Sequence, residues 1–293
     1  LREERRRTRR GRIVRLAAGL AATVLLGVAV GYVVNALRAP AAEAGPATER
    51  WRLSGVEAER TSPAENVVVR GDRLYAVRRG RAGGSVVAVD TAAGEAVWET
   101  PVARPSYVAV ADGCVFCVAA GKGGPVLVAL GADDGRPAWR YGPRTGEVAL
   151  RLSPPVPLEG GRVAWTVGPR VHVVDAATGR ADWTRPLGAG PLSPVAAAGE
   201  DLLVAGCRSL HALDPSSGRT RWRTAYREPL APTLAPLLAV GGTRAYVAGA
   251  EGGIGGHLVC VDGPSQRLVW TRRVPRPRHL LATAEGVYLR CED

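Results

Sequence analysis

The chain has 293 residues, 46% of them hydrophobic, with 37 Gly, 22 Pro and no Met, which suits one large all-β domain plus an appendage. Its formal net charge is +12, but half of that sits in residues 1–15. The remainder is only mildly basic, and the nucleic-acid reading of the Arg cluster gives way to a membrane one because of the uncharged run that follows it.

Residues 1–15 form an Arg-rich segment, with eight Arg against Glu3 and Glu4. From Leu16 to Val34 the chain then runs nineteen residues without a charge. Coiled as a helix at about 1.5 Å per residue, such a run spans about 30 Å, the hydrocarbon thickness of a bilayer. A transmembrane helix is expected over 16–37, with Gly27 and Gly31 at a spacing that could seat a second helix. The Arg excess ahead of it places the N-terminus in the cytoplasm and everything after Arg38 outside. A cleaved signal peptide is the rival, since Ala39-Pro40-Ala41 is a small-x-small site, although the apolar run exceeds the usual signal length. Residues 38–50 are Ala/Pro-rich and aperiodic, and read as a linker. With no Met at position 1, the sequence is expected to be processed or a fragment.

Residues 51–293 are organised by a repeat. Val89-Asp90-Thr91-Ala92-Ala93-Gly94 runs on to Trp98, and the same order returns as Asp175, Gly179 and Trp183, and as Asp214, Gly218 and Trp222. Two weaker copies are Gly131 to Gly135 and Trp139, without the Asp, and Asp262 to Trp270, where Gln266 replaces the Gly. The first positions lie 41, 44, 39 and 48 residues apart, a period suited to one four-stranded blade. The Asp carboxylate can bond backbone N–H groups two or three residues on, and the Gly supplies a positive φ, closing a hairpin. A Trp at a fixed point of every repeat is large enough to bridge neighbouring sheets.

Strand-like runs at 66–70, 73–79, 85–90 and 96–101 complete one blade, and the order recurs at 106–141, 153–186, 192–225 and 234–273. A sixth unit begins near His279 and is short of strands. Trp51 resembles the last strand of a blade and is expected to complete that sixth sheet, because an unclosed ring leaves strand edges exposed. The prediction is an all-β propeller of about six four-stranded antiparallel blades, preceded by one transmembrane helix.

The pattern Ala-Val-Asp-x-x-x-Gly-x-x-x-Trp, with lead-in segments such as Asp72–Val77 and Gly161–Trp165, resembles the PQQ-like β-propeller repeat family over about residues 51–293. In that family the repeat defines the fold and is only loosely tied to chemistry. The resemblance to quinoprotein dehydrogenases of related fold implies a vicinal Cys-Cys disulfide, a Ca²⁺ held by carboxylates and amides, and a catalytic Asp. This sequence has no adjacent cysteines, and its two Asn are Asn35 and Asn66. No quinone, other cofactor, catalytic residue or metal ligand is therefore assigned.

Three further groups bear on chemistry. Cys114 and Cys117 read as C-x-x-C, but in a strand residues three apart face opposite sides, so buried thiols are expected. Pairing among the five cysteines Cys114, Cys117, Cys207, Cys260 and Cys291 is compatible with an exterior location. His172 and His211 both stand three residues before their motif Asp, and packing explains them better than ligation. No nucleophile elbow, phosphate loop or carboxylate pair appears.

The function expected is that of a membrane-anchored, extracytoplasmic binding or scaffold module for an unknown protein or small-molecule ligand. The alternative is the sensor region of an actinobacterial receptor-type Ser/Thr protein kinase, which the Arg-rich stretch, single helix and PQQ-like repeats resemble. A quinone-dependent dehydrogenase is the remote alternative.

Overall fold

A computed structural model describes residues 67–80, 83–142, 153–188, 192–230, 236–251 and 255–292. The Arg-rich segment, the expected helix over 16–37, the linker and Trp51 lie outside the described residues. All the described residues belong to the compact unit Leu53–Asp293.

The described residues of that unit form strands and turns. The first sheet runs β1 (Val67–Arg70), β2 (Arg73–Gly80), β3 (Gly83–Asp90) and β4 (Ala96–Val102), each paired antiparallel with the next. The second is β5 (Ser106–Ala111), β6 (Cys114–Gly121), β7 (Gly124–Gly131) and β8 (Pro137–Tyr141). The third is β9 (Val156–Leu158), β10 (Arg162–Val167), β11 (Arg170–Asp175) and β12 (Ala181–Pro186). The fourth is β13 (Ala196–Ala198), β14 (Asp201–Ala205), β15 (Ser209–Leu213) and β16 (Thr220–Ala225). The fifth is β17 (Leu237–Gly241), β18 (Arg244–Glu251), β19 (Gly255–Asp262) and β20 (Arg267–Pro275), and a two-stranded sheet of β21 (Pro277–Ala282) and β22 (Val287–Cys291) follows.

Each sheet packs against the next in sequence, with the innermost strands β1, β5, β9, β13, β17 and β21 in succession. Side chains alternate across a strand, so each sheet has two apolar faces and the core is divided among the gaps between sheets. Along β6, Val115 and Cys117 join the cluster shared with the first sheet, whereas Phe116 and Val118 join the cluster shared with the third. The same alternation puts Leu203 and Ala205 against the fifth sheet, and Leu202 and Val204 against the third. Runs such as Ser85–Val89 are buried along their whole length because both faces are covered.

Five sheets keep the same irregularity. The pairing of third and fourth strands shifts register beside Ala88, Ala129, Val173, Ala212 and Cys260, the residues opposite the five motif Trp. A bulge adds one residue to the outer strand and re-aims the next side chain. Here it turns each indole toward the following sheet.

Candidate functional site

The repeat turn is a single helical turn that is never continued. In the first sheet Gly94 N–H donates to Asp90 O at 2.8 Å and Asp90 N–H to Glu95 O at 2.9 Å. The Asp90 carboxylate accepts from Ala92 and Ala93 N–H, both at 2.8 Å. Asp175 accepts likewise from Thr178, and Asp214 from Ser216 and Ser217. These donors hold the Asp90, Asp175 and Asp214 carboxyls below their ordinary range, as Ser265 N–H and Oγ do for Asp262. Gly131 keeps both backbone bonds without a carboxylate.

The turns of the second, third and fourth sheets each receive the indole of the preceding sheet. Trp98 Nε1 donates to Ala132 O at 2.9 Å, Trp139 to Ala176 O at 2.8 Å and Trp183 to Pro215 O at 3.0 Å. The motif glycines then have two duties. Gly135, Gly179 and Gly218 all take φ near +68°, and a Cβ on them would stand 2.5, 2.5 and 2.8 Å from indole carbons of Trp98, Trp139 and Trp183. A second tie, not visible in the sequence, comes from the residue two beyond the Trp. Thr100 Oγ1 donates to Gly135 O at 2.6 Å, Arg185 to Gly218 O, and Thr224 Oγ1 to Gln266 O at 2.7 Å.

The fifth copy departs from this scheme. Gln266 adopts φ 58°, and its N–H bonds Gly263 O in a tighter turn. The motif Gly is missing here, and Trp222 donates instead to Asp201 of its own sheet at 2.9 Å. Trp270, in the last complete sheet, packs against Tyr246 and the core shared with the two-stranded sheet. The predicted motif residues are thus brought together pairwise between sheets as fasteners, not in one catalytic centre.

The concavity with the means to bind lies at the opposite strand ends, between the third and fourth sheets. It has a volume of about 530 Å³. Arg185 and the segment Pro186–Gly188 after β12 form one wall, with Leu192. The other comes from the β14–β15 hairpin at Gly206–Arg208, from Ser209 and His211 on β15, and from Thr220 and Arg223 on β16. Leu187 N–H bonds Pro169 O and Leu230 N–H bonds Cys207 O, fixing both walls to neighbouring hairpins. Arg223 Nε donates to Ser209 Oγ at 3.0 Å, and that hydroxyl lies 2.9 Å from His211 Nε2. Burial, then the Arg223 and Arg185 guanidiniums, push His211 down to about 4, so the imidazole is neutral at ordinary pH. The charge of the lining is therefore that of three arginines, with no Asp or Glu among the residues that form it.

The two His singled out by sequence have separate partners. His172 is buried beside Tyr141 and Thr184, whose hydroxyls stand 3.2 and 3.1 Å from Nδ1. Sequence reasoning missed His257, whose Nε2 is 3.2 Å from Glu228 and 3.5 Å from Glu251. These three could hold a cation, since their ligand atoms lie within 4.8 Å of one another. All five cysteines are free thiols, and Cys114 and Cys117 face opposite sides of β6. With no adjacent cysteines, the residues present do not fit the quinone site of the dehydrogenases.

Consecutive four-stranded sheets, fastened indole to turn, define a repeat protein of the β-propeller class. The chain belongs to the PQQ-like repeat β-propeller family: residues 38–193 and 207–293 match the family described as outer membrane protein assembly factor BamB. Among solved structures it is similar to BamB from Moraxella catarrhalis (TM-score 0.56, 18% identity), covering 74% of this chain and 66% of that one. It is also similar to quinohemoprotein alcohol dehydrogenase from Comamonas testosteroni (TM-score 0.52, 16% identity), covering 71% of this chain and 42% of that one. A europium-containing methanol dehydrogenase gives 0.50 and 15%, covering 71% and 50%. The chain thus spans about two thirds or less of these neighbours, and at such identity the likeness is one of fold. No curated protein matches the chain.

Proposed function

We propose that this chain is a membrane-anchored, extracytoplasmic binding or scaffold propeller that performs no chemistry of its own. The observation that carries the reading is the pocket between the third and fourth sheets, an open recognition site of about 530 Å³ set apart from the motif turns that fasten the second, third and fourth sheets. A stiff framework presenting short connections holds such a site at little ordering cost. Kinship with a family described as an assembly factor supports a protein partner. The anchor rests on the nineteen-residue uncharged run and the Arg asymmetry around it.

A second reading, the sensor region of a receptor-type Ser/Thr protein kinase, is favoured by the eight Arg directly before that run. An in-frame kinase domain in the DNA upstream of residue 1 would establish it.

Two arms test the proposal. Alkaline phosphatase fused after residue 293 is expected to be active in cells, and activity confined to cytosolic reporters would refute the topology. A photo-crosslinking amino acid at Thr220, on the pocket wall, is expected to yield a discrete adduct in the native host. Absence of any adduct there and at other exposed loop positions would refute the binding role.

A further inference from the structure

We infer that the pocket between the third and fourth sheets binds the carboxylate of a small organic acid, whose aliphatic body lies on Leu187 and Leu192. The inference deepens the binding-module reading and rests on it.

Charge is the first ground. Several arginines elsewhere meet carboxylates, and others stand singly on the surface: Arg78 meets Glu99 and Arg162 meets Asp182, both at 2.7 Å, and Arg221 meets Asp201 and Asp214. Among the described residues Arg185, Arg208 and Arg223 have no such partner, although all three line one concavity. Like charges gathered without a counter-ion repel one another, and an anion in their midst removes that cost.

Geometry is the second. A guanidinium offers parallel donors that match the two oxygens of a carboxylate. Arg223 is held through Nε by Ser209, and Arg185 is tied to Gly218 O through one Nη. Both planes are thereby set before any ligand arrives, with Nη donors uncommitted.

Shape and polarity are the third. A volume of about 530 Å³ falls within the range of small-ligand sites, and such sites combine apolar walls with a few placed polar groups. Pro186, Leu187 and Leu192 supply the apolar part, with Leu192 only 5% exposed. A bare phosphate would leave that surface wet, whereas a short-chain acid satisfies both halves.

The test uses the full chain in lipid nanodiscs and three probes: butyrate, its neutral analogue 1-butanol, and inorganic phosphate. Calorimetry is expected to show saturable butyrate binding, with phosphate and butanol each about tenfold weaker or absent. Arg208→Gln and Arg223→Gln are each expected to weaken butyrate by about tenfold. The Arg208 side chain is exposed and makes no hydrogen bond among the described residues, so an unchanged melting temperature will show that its variant is folded. Equal binding of butanol or phosphate, or butyrate binding that survives both substitutions, would overturn the inference. Absent butyrate binding while the Thr220 crosslink still forms would overturn it too, and leave the binding-module reading standing.

Discussion

A motif glycine here does more than permit a turn. Gly179 combines φ +68° with a contact so close that a Cβ would stand 2.5 Å from the Trp139 ring. Gly179→Ala is therefore expected to cost about 3 kcal/mol in urea unfolding, from overpacking together with left-handed strain. Gln266→Gly should raise stability by about 1 kcal/mol, since it relieves a positive φ where the seat is already vacated. Histidine burial makes a prediction at the same scale. Burial, then the Arg170 charge, push His172 down to about 4, below its unfolded value near 6.5, so the unfolded chain binds the proton more readily. Stability is complete above pH 6.5 and falls as pH drops toward 4, by about 3 kcal/mol for this residue. His211 and His279 act in the same sense. In His172→Gln the slope of stability between pH 6.5 and 4 should shrink, whereas the capping Asp residues act only below pH 4.

Strands explain which cysteine reacts. Cys117 lies on the face of β6 turned to the first sheet, where burial pushes its thiol up to about 12. It is expected to resist iodoacetamide at pH 8 in the native protein while the pocket-lining Cys207 is alkylated, as peptide mapping can determine. Much at this scale was legible in the sequence. Alternation predicted opposite faces for Cys114 and Cys117, and the Asp-to-Trp offset located the outer strand of five sheets. The bulge beside each Trp was not legible, because an added residue leaves the apolar pattern of its strand unchanged. The pocket was hidden for another reason. Arg185, Ser209 and Arg223 come from three strands of two sheets, and no local spacing records that they meet. Thr100 and Thr224 escaped notice because Tyr141 and Arg185 hold the same place, so the position has no fixed residue type.

In the whole molecule, the chain is a series of sheets in which each is coupled to its neighbours, so stability is expected to pass from one to the next rather than reside in one core. The arginine pocket opens toward the strand ends opposite the motif turns, and Arg185 serves both through its bond to Gly218 O. Arg208 takes no part in fastening, so Arg208→Gln should alter recognition and leave the melting temperature unchanged. Fastening of the second, third and fourth sheets by the indole of the one before is what the rest depends on. Amide hydrogen exchange on Trp139→Ala tests this most directly. Protection should fall at Asp175 and Gly179, whose N–H groups close the turn that receives this indole, and persist at Asp90 and Gly94. Unchanged protection at Asp175 and Gly179 would contradict the account.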